Sequence, residues 1–163
     1  MTTHTILTGD TRTLLPTLES QSVQTVVTSP PYWGLRDYQV DGQIGLETTP
    51  DAYVTALVDV FREVKRVLRD DGTVWLNLGD SYAGSGKGQK GGGLSEKFGK
   101  LQALNKGSVS GGLPTDYRGL KPKDLVGIPW RVAFALQADG WYLRSDIVWA
   151  KGVSFCPSYS GSV

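Results

Sequence analysis

Short apolar runs alternate along this sequence with two segments of helical periodicity. Strands are predicted at TILTGD (5–10), VQTVVTS (23–29), TVWLNLGDSY (73–82) and WYLRSDIVWA (141–150). The second is a continuous apolar run, of the kind found in a parallel sheet that is covered on both faces. The alternation predicts an α/β domain with a mainly parallel sheet and flanking helices.

Both helical segments carry recognisable signals. Over 49–69, Thr49 can cap the first turn, Pro50 suits the first helical position, and apolar residues recur at helical spacing. We expect Asp71-Gly72 to end this helix. A second helix is predicted at IPWRVAFALQADG (128–140).

The bulk composition narrows the possible classes of protein. A chain of 163 residues, 39% hydrophobic and 20% charged, suits one globular domain. One cysteine and one histidine cannot form a disulfide framework or a Cys/His zinc site, so we expect no metal and a reducing, cytoplasmic compartment. No apolar run reaches the length of a membrane span, so no membrane partner is expected.

Residues 83–120 differ from the rest of the chain. Eleven glycines fall there, with few large apolar residues, which predicts a mobile loop within the domain. Residues 87–123 also hold eight Lys and Arg against Glu96 and Asp116. Gly/Lys-rich segments are commonly solvated linkers, and the alternative for this one is a contact with a polyanion.

Three polar segments lie at the ends of predicted strands. They are Gly9-Asp10, Ser29-Pro30-Pro31-Tyr32 and Gly79-Asp80-Ser81-Tyr82. Ligands of parallel sheets bind beyond the carboxyl ends of the strands, so these segments predict a site at one edge. Two adjacent prolines form a rigid corner that is poor in N–H donors and cannot continue a sheet.

At this point the chain resembles a known family. TSPPYWGLRDY, with GD upstream and LNLGDSY downstream, is similar to the amino-group DNA methyltransferases that use S-adenosyl-L-methionine, whose signature is Asp/Asn/Ser-Pro-Pro-Tyr/Phe. The similarity continues through GIPWRVAFALQADGWYLRSDIVWAK. It implies a Rossmann-like methyltransferase sheet acting on double-stranded DNA with a flipped base. Serine at the first position is associated with cytosine-N4 enzymes, and adenine-N6 transfer is the alternative.

The resemblance assigns roles to the rigid corner. Ser29, Pro30, Pro31 and Tyr32 would form the catalytic segment. The Ser29 hydroxyl and the Pro30 carbonyl would accept hydrogen bonds from the target amine, while the Tyr32 ring would stack on the flipped base. Preorganised positioning and electrostatics would then favour direct methyl transfer.

Other candidate residues each have two interpretations. Asp10 would contact the adenine of the cofactor, as the resemblance implies, or would cap a turn. Trp33 would contact the base or pack in the core. For Asp80, Ser81 and Tyr82 the alternatives are lining the target pocket and capping a turn. The basic segment would contact DNA phosphates through Lys87, Lys90, Lys97, Lys100 and Lys106.

The sequence also departs from the family pattern. The Phe-x-Gly-x-Gly loop that holds the methionine part of the cofactor is absent, and the catalytic segment comes early, as in a permuted subgroup. We therefore expect a partial chain that carries the catalytic half. GSGKG (84–88) does not fit a P-loop, and Cys156-Pro157 reverses the order found in cytosine-5 enzymes. A nucleic-acid-binding remnant without catalysis is the alternative from another functional class.

Overall fold

The computed structural model describes residues 2–83, 120–121 and 124–150. In chain order the elements are α1 (Thr11–Leu14), a 3-10 turn (Leu15–Thr17), β1 (Val23–Thr28), α2 (Pro50–Val67), β2 (Leu68–Leu76) and α3 (Ile128–Ala138). Most of the predicted loop at 83–120 lies outside the described residues, and the domain boundaries stay a prediction.

Strands β1 and β2 pair in parallel, as the alternating pattern predicted. Thr25 lies opposite Thr73, and the register continues to Thr28 opposite Leu76. An irregularity interrupts the pairing before Thr25. Gly72 lies in that irregularity, where an added Cβ would come within 2.6 Å of Leu68 Cγ and 2.9 Å of the Gln24 carbonyl oxygen. A small parallel sheet with helices places the fold in the α/β class.

The two predicted helices are present with modified ends. Thr49 caps α2 by accepting the Ala52 N–H at 3.1 Å, and Pro50 occupies the first turn. The helix ends at Val67 rather than at Asp71-Gly72, because Leu68 is already extended and pairs with β1. The strand predicted at 73–82 accordingly begins and ends earlier, at Leu68–Leu76.

Among the described residues, no helix has both the length and the apolar character to cross a membrane.

One face of the sheet carries the hydrophobic core. Helices α2 and α3 pack against each other, and Val26, Val74 and Leu76 pack against the buried cluster. That cluster consists of Trp33, Tyr53, Leu57, Val58, Phe61, Val64, Ala83, Val126, Ile128, Val132 and Leu136. On the other face, Val27 is 76% exposed and its partner Trp75 is 53% exposed. The expectation that β1 is covered on both faces is therefore wrong for the described part of the chain.

Two predicted strands are not formed within the described residues. Residues 5–10 and 141–150 have no ladder partner there, and they are exposed except for the half-buried Trp141. β-branched and aromatic composition favours an extended backbone, but a strand also needs a neighbour for its N–H and C=O groups. The sheet therefore has two strands in the described part, and its order is β1-β2.

Candidate active site

The carboxyl ends of β1 and β2 bring two polar segments together. The Asn77 N–H donates to the Thr28 carbonyl at 2.9 Å, immediately before the Pro-Pro corner. A Cβ on Gly79 would lie 2.9 Å from Cδ2 and Cε2 of Tyr32, so the Tyr32 ring lies directly against Gly79. Ser29-Pro30-Pro31-Tyr32, here called the Pro-Pro corner, and Gly79-Asp80-Ser81-Tyr82 are thus neighbours, as the parallel arrangement predicted.

The oxygens of the Pro-Pro corner differ in their surroundings. Ser29 is exposed, and within the described residues neither its hydroxyl nor the Pro30 carbonyl has a hydrogen-bond partner. The Pro31 carbonyl, by contrast, accepts the Tyr53 hydroxyl at 2.8 Å. The corner therefore has two acceptors that can serve a ligand and one that is bound to the protein interior.

Trp33 anchors the corner in the core. It is 1% exposed, and its indole N–H donates to the Glu47 carbonyl at 2.8 Å. The Gly34 N–H donates to the Gly45 carbonyl at 2.7 Å, and the Glu47 carboxylate accepts the Gly45 N–H at 2.9 Å. This burial favours the packing interpretation of Trp33, whose role toward a base stays a prediction.

Gly45 permits the close approach of that supporting segment. Its φ is +106°, and an added Cβ would lie 3.2 Å from both Pro31 Cβ and the Tyr32 carbonyl oxygen. Gly45, Glu47 and Tyr53 were not predicted from the sequence to be part of the site. A glycine between predicted elements is a signal for a special backbone conformation, but nothing in the spacing indicates what it contacts.

Asp80 connects the end of β2 to the start of α3. Its carboxylate accepts the Ser81 N–H at 2.8 Å and the N–H groups of Gly127 and Ile128 at 3.0 Å. Gly127 has a left-handed φ of 78° and precedes the helix. A carboxylate at a helix N-terminus satisfies unpaired donors and is favoured by the helix dipole. These bonds favour the capping interpretation of Asp80, and its role in a target pocket stays a prediction.

Residues 81–83 pair with the segment that leads into α3. The Val126 N–H donates to the Ser81 carbonyl, and the Ala83 N–H donates to the Asp124 carbonyl, each at 2.8 Å. Ser81 is half-buried and Tyr82 is exposed, at the same strand end as the Pro-Pro corner. Ala83 is the last described residue before the gap, and it lies beside the candidate site. Asp124, on the far side of the gap, is hydrogen-bonded to Ala83.

The five lysines predicted to contact DNA lie outside the described residues. Lys87, Lys90, Lys97, Lys100 and Lys106 belong to the segment between Ala83 and Leu120. Their role stays a prediction.

Asp10 lies on a different segment of the chain. It caps α1 by accepting the Arg12 N–H at 2.8 Å, and its carboxylate also pairs with the Arg12 guanidinium. The Arg12 side-chain hydrogen bonds, followed by the Arg12 backbone N–H, hold the pKa of Asp10 below its usual range. Arg12 in turn donates to the Gly42 carbonyl at 2.9 Å, in the loop after the corner. In the described part of the chain, no hydrogen bond joins Asp10 directly to Ser29 or Tyr32.

The arrangement is suited to binding a planar ring that carries an amino group. The Ser29 and Pro30 oxygens can accept hydrogen bonds from N–H donors. The Tyr32 ring, which packs against Gly79, offers a flat contact surface. The prolines limit backbone motion, so the acceptors need little reorganisation when a ligand binds.

Comparisons with known proteins agree on one family. The family model N6_N4_Mtase, described as DNA methylase, matches residues 23–161. The chain is 53% identical to Type II methyltransferase M.SmaI of Serratia marcescens and 55% identical to Type II methyltransferase M.XycI of Xanthomonas campestris pv. cyanopsidis, over 90% of its length in both cases. It is 45% identical to Type II methyltransferase M.SfiI of Streptomyces fimbriatus over 88% of its length.

The relatives are longer than this chain. The matched segments cover 47% of M.SmaI, 46% of M.XycI and 29% of M.SfiI. The chain thus spans about half the length of the first two curated relatives. No solved structure matches the chain.

Proposed function

Because the chain belongs to the N6_N4_Mtase family of DNA methylases, we propose that the protein transfers a methyl group from S-adenosyl-L-methionine to the exocyclic N4 amine of cytosine in double-stranded DNA. The observation that carries this proposal is the Pro-Pro corner, whose Ser29 and Pro30 oxygens have no partner among the described residues. Serine at the first position supports cytosine as the target base. The Type II methyltransferase relatives support a role in restriction–modification.

The Ser29 hydroxyl and the Pro30 carbonyl activate the target amine. The lone pair of an exocyclic amine is delocalised into the ring, which makes the nitrogen a poor nucleophile. Two acceptors that bind its N–H groups favour a more tetrahedral nitrogen and return the lone pair to it. Because the corner is rigid, this stabilisation needs no reorganisation as the transition state forms.

Tyr32 holds the target base after it leaves the duplex. A base inside the double helix cannot reach a site at a strand end, so it must flip out. The Tyr32 ring lies against Gly79, where no side chain separates the ring from the end of β2. Stacking on this ring would place the amine beside Ser29 and Pro30.

Asp10 is the candidate acceptor for a hydrogen bond from the cofactor. Its carboxylate already accepts four hydrogen bonds from Arg12, and a carboxylate has about four acceptor positions. Asp10 is exposed, so a donor on the nucleoside part of S-adenosyl-L-methionine can reach it by displacing one of the Arg12 contacts. When bound, the cofactor supplies the methyl group.

The basic segment supplies contacts with the DNA backbone in this proposal. Its flanking residues Ala83 and Asp124 are joined beside the candidate site. Lysines that leave from this point would meet phosphates around the flipped base, and their contribution to affinity would fall with increasing salt.

The experiment that tests the proposal identifies the methylated base. DNA is incubated with the full-length protein and S-adenosyl-L-methionine, digested to nucleosides and analysed by mass spectrometry. We expect N4-methylcytosine. If only N6-methyladenine forms, the target base is adenine rather than cytosine, because the family covers both amines. The absence of both products would contradict methyl transfer and favour a binding protein without catalysis.

A further inference from the structure

Tyr53 reaches the Pro-Pro corner from the first turn of α2. Its side chain is 0% exposed, and its hydroxyl donates to the Pro31 carbonyl at 2.8 Å. Thr49 holds that turn in place, since its hydroxyl accepts the Ala52 N–H at 3.1 Å and its carbonyl accepts the Tyr53 N–H at 3.2 Å. The hydroxyl is thus held by a capped helix rather than by a loop.

The contact with Pro31 controls the geometry of the corner. Peptide groups are planar, so only φ and ψ of Pro31 relate the Pro30 carbonyl to the peptide that follows Pro31. The pyrrolidine ring fixes φ, which leaves ψ as the one soft torsion. By holding the Pro31 carbonyl, the Tyr53 hydroxyl fixes ψ. One hydrogen bond therefore sets the direction of the Pro30 acceptor relative to the backbone of Tyr32.

The hydroxyl, rather than the ring, distinguishes Tyr53 from an ordinary core residue. The buried cluster around it is apolar, and a phenylalanine would fill nearly the same volume. Burial, with smaller effects from Glu47 and Tyr32, raises the pKa of Tyr53 above its usual range. The phenol therefore stays protonated and remains a donor at the pH of any ordinary assay.

We propose that Tyr53 is a positioning residue for methyl transfer, an inference that rests on the proposed function. Tyr53 acts through Pro31 and does not touch the substrate. Its hydrogen bond keeps the Pro30 oxygen in the direction that the target amine needs as it becomes tetrahedral. Binding of DNA and of the cofactor depends on other contacts.

The test compares Tyr53→Phe with the wild type in the full-length protein, on DNA that the wild type methylates. We expect kcat to fall between about tenfold and about hundredfold, because small misplacements of reacting groups have effects of this size. KM for DNA and for S-adenosyl-L-methionine should change less than about twofold. Assays run well below the unfolding temperature of each variant, which a circular dichroism melt determines.

Thr55→Val is the matched control. Thr55 is exposed on the same helix, and its hydroxyl donates to the main-chain carbonyl of Asp51 at 2.9 Å, away from the corner. We expect this variant to keep the wild-type kcat.

The outcomes separate this inference from the proposed function. A Tyr53→Phe variant with wild-type kcat would overturn the positioning role, as would a parallel loss in both variants or a loss that appears only in KM. A wild-type protein that forms neither methylated base would overturn the proposed function, and this inference with it.

Discussion

At Ser29 the chain passes from strand β1 into two prolines that cannot donate to a sheet ladder. This change leaves the oxygens of Ser29 and Pro30 available as hydrogen-bond acceptors. The prolines lack N–H groups, the Pro31 carbonyl is bound by Tyr53, and the Ser29 and Pro30 oxygens face no partner among the described residues. In the proposed mechanism each residue has a separate part: the prolines give rigidity, Tyr53 orients the corner, and Ser29 supplies a second acceptor.

Ser29→Ala should lower turnover more than DNA affinity. The lost hydrogen bond matters most when the amine carries developing charge, so we expect kcat to fall about ten- to hundredfold. Ser22→Ala is the control. Ser22 immediately precedes the first residue of β1, at the end of the strand away from the corner, and its hydroxyl donates to the Glu19 carbonyl. Single-turnover rates and DNA binding are measured for both variants. An unchanged turnover in Ser29→Ala would remove the acceptor role.

Tyr32→Ala should weaken transfer by removing the stacking surface. Base–aromatic contacts of this kind contribute about 1–3 kcal/mol. Tyr38→Ala is the control, since Tyr38 is an exposed tyrosine in the loop that follows the corner. Gly79→Ala should act in the same direction as Tyr32→Ala, because its Cβ would push the ring from its place. Equal kcat/KM for Tyr32→Ala and Tyr38→Ala would contradict the stacking role.

At the scale of elements, Asp80 joins a strand end to a helix start that lies 48 positions further along the chain. Two main-chain bonds between residues 81–83 and 124–126 reinforce the connection. These hydrogen bonds connect the candidate site, the end of β2 and the N-terminus of α3, so a change at Asp80 should affect the helix as well as the site.

Asp80→Ala should lower the free energy of unfolding by about 1–3 kcal/mol, because backbone N–H groups at the start of α3 lose their acceptor. Asp80→Asn keeps one oxygen and should fall between alanine and the wild type. Asp59→Ala is the control, since its ion pair with Arg62 is exposed and such pairs contribute little. Thermal and urea unfolding of the full-length protein are the measurements. A stability of Asp80→Ala equal to that of Asp59→Ala would refute the capping role.

For the molecule as a whole, the sheet is packed on one face, and its other face is open among the residues that the structure describes. Val27 and Trp75 lie side by side on the open face, and Ile147, Val148 and Trp149 are exposed on the segment after α3. Contiguous exposed apolar groups of this kind favour association, and a bare strand edge does so as well.

The 163-residue chain expressed alone should therefore self-associate and bind S-adenosyl-L-methionine poorly. The Asp10 carboxylate already accepts four hydrogen bonds from Arg12, and the 163 residues contain no Phe-x-Gly-x-Gly segment. Sedimentation velocity measures the association, and calorimetric titration measures cofactor binding. Micromolar binding by a monomer would show that the cofactor site is misplaced, and GSGKG (84–88) would return as a candidate.

Local chemistry is sufficient to predict the two helices, the apolar segments that form β1 and most of β2, and the rigid corner. Thr49, Pro50 and the spacing of apolar residues define α2 because capping and periodicity act within a few positions. The family resemblance was equally present in the sequence, and the family match confirms it. The folded structure was needed to show that residues 5–10 and 141–150 remain unpaired in the described part, and that Trp33 is buried. It also brought the Tyr53 hydroxyl to Pro31 and the Asp80 carboxylate to α3. These contacts join residues 22 to 48 positions apart. Pattern and propensity act locally, whereas ladder pairing and remote hydrogen bonds depend on which segments the folded chain brings together.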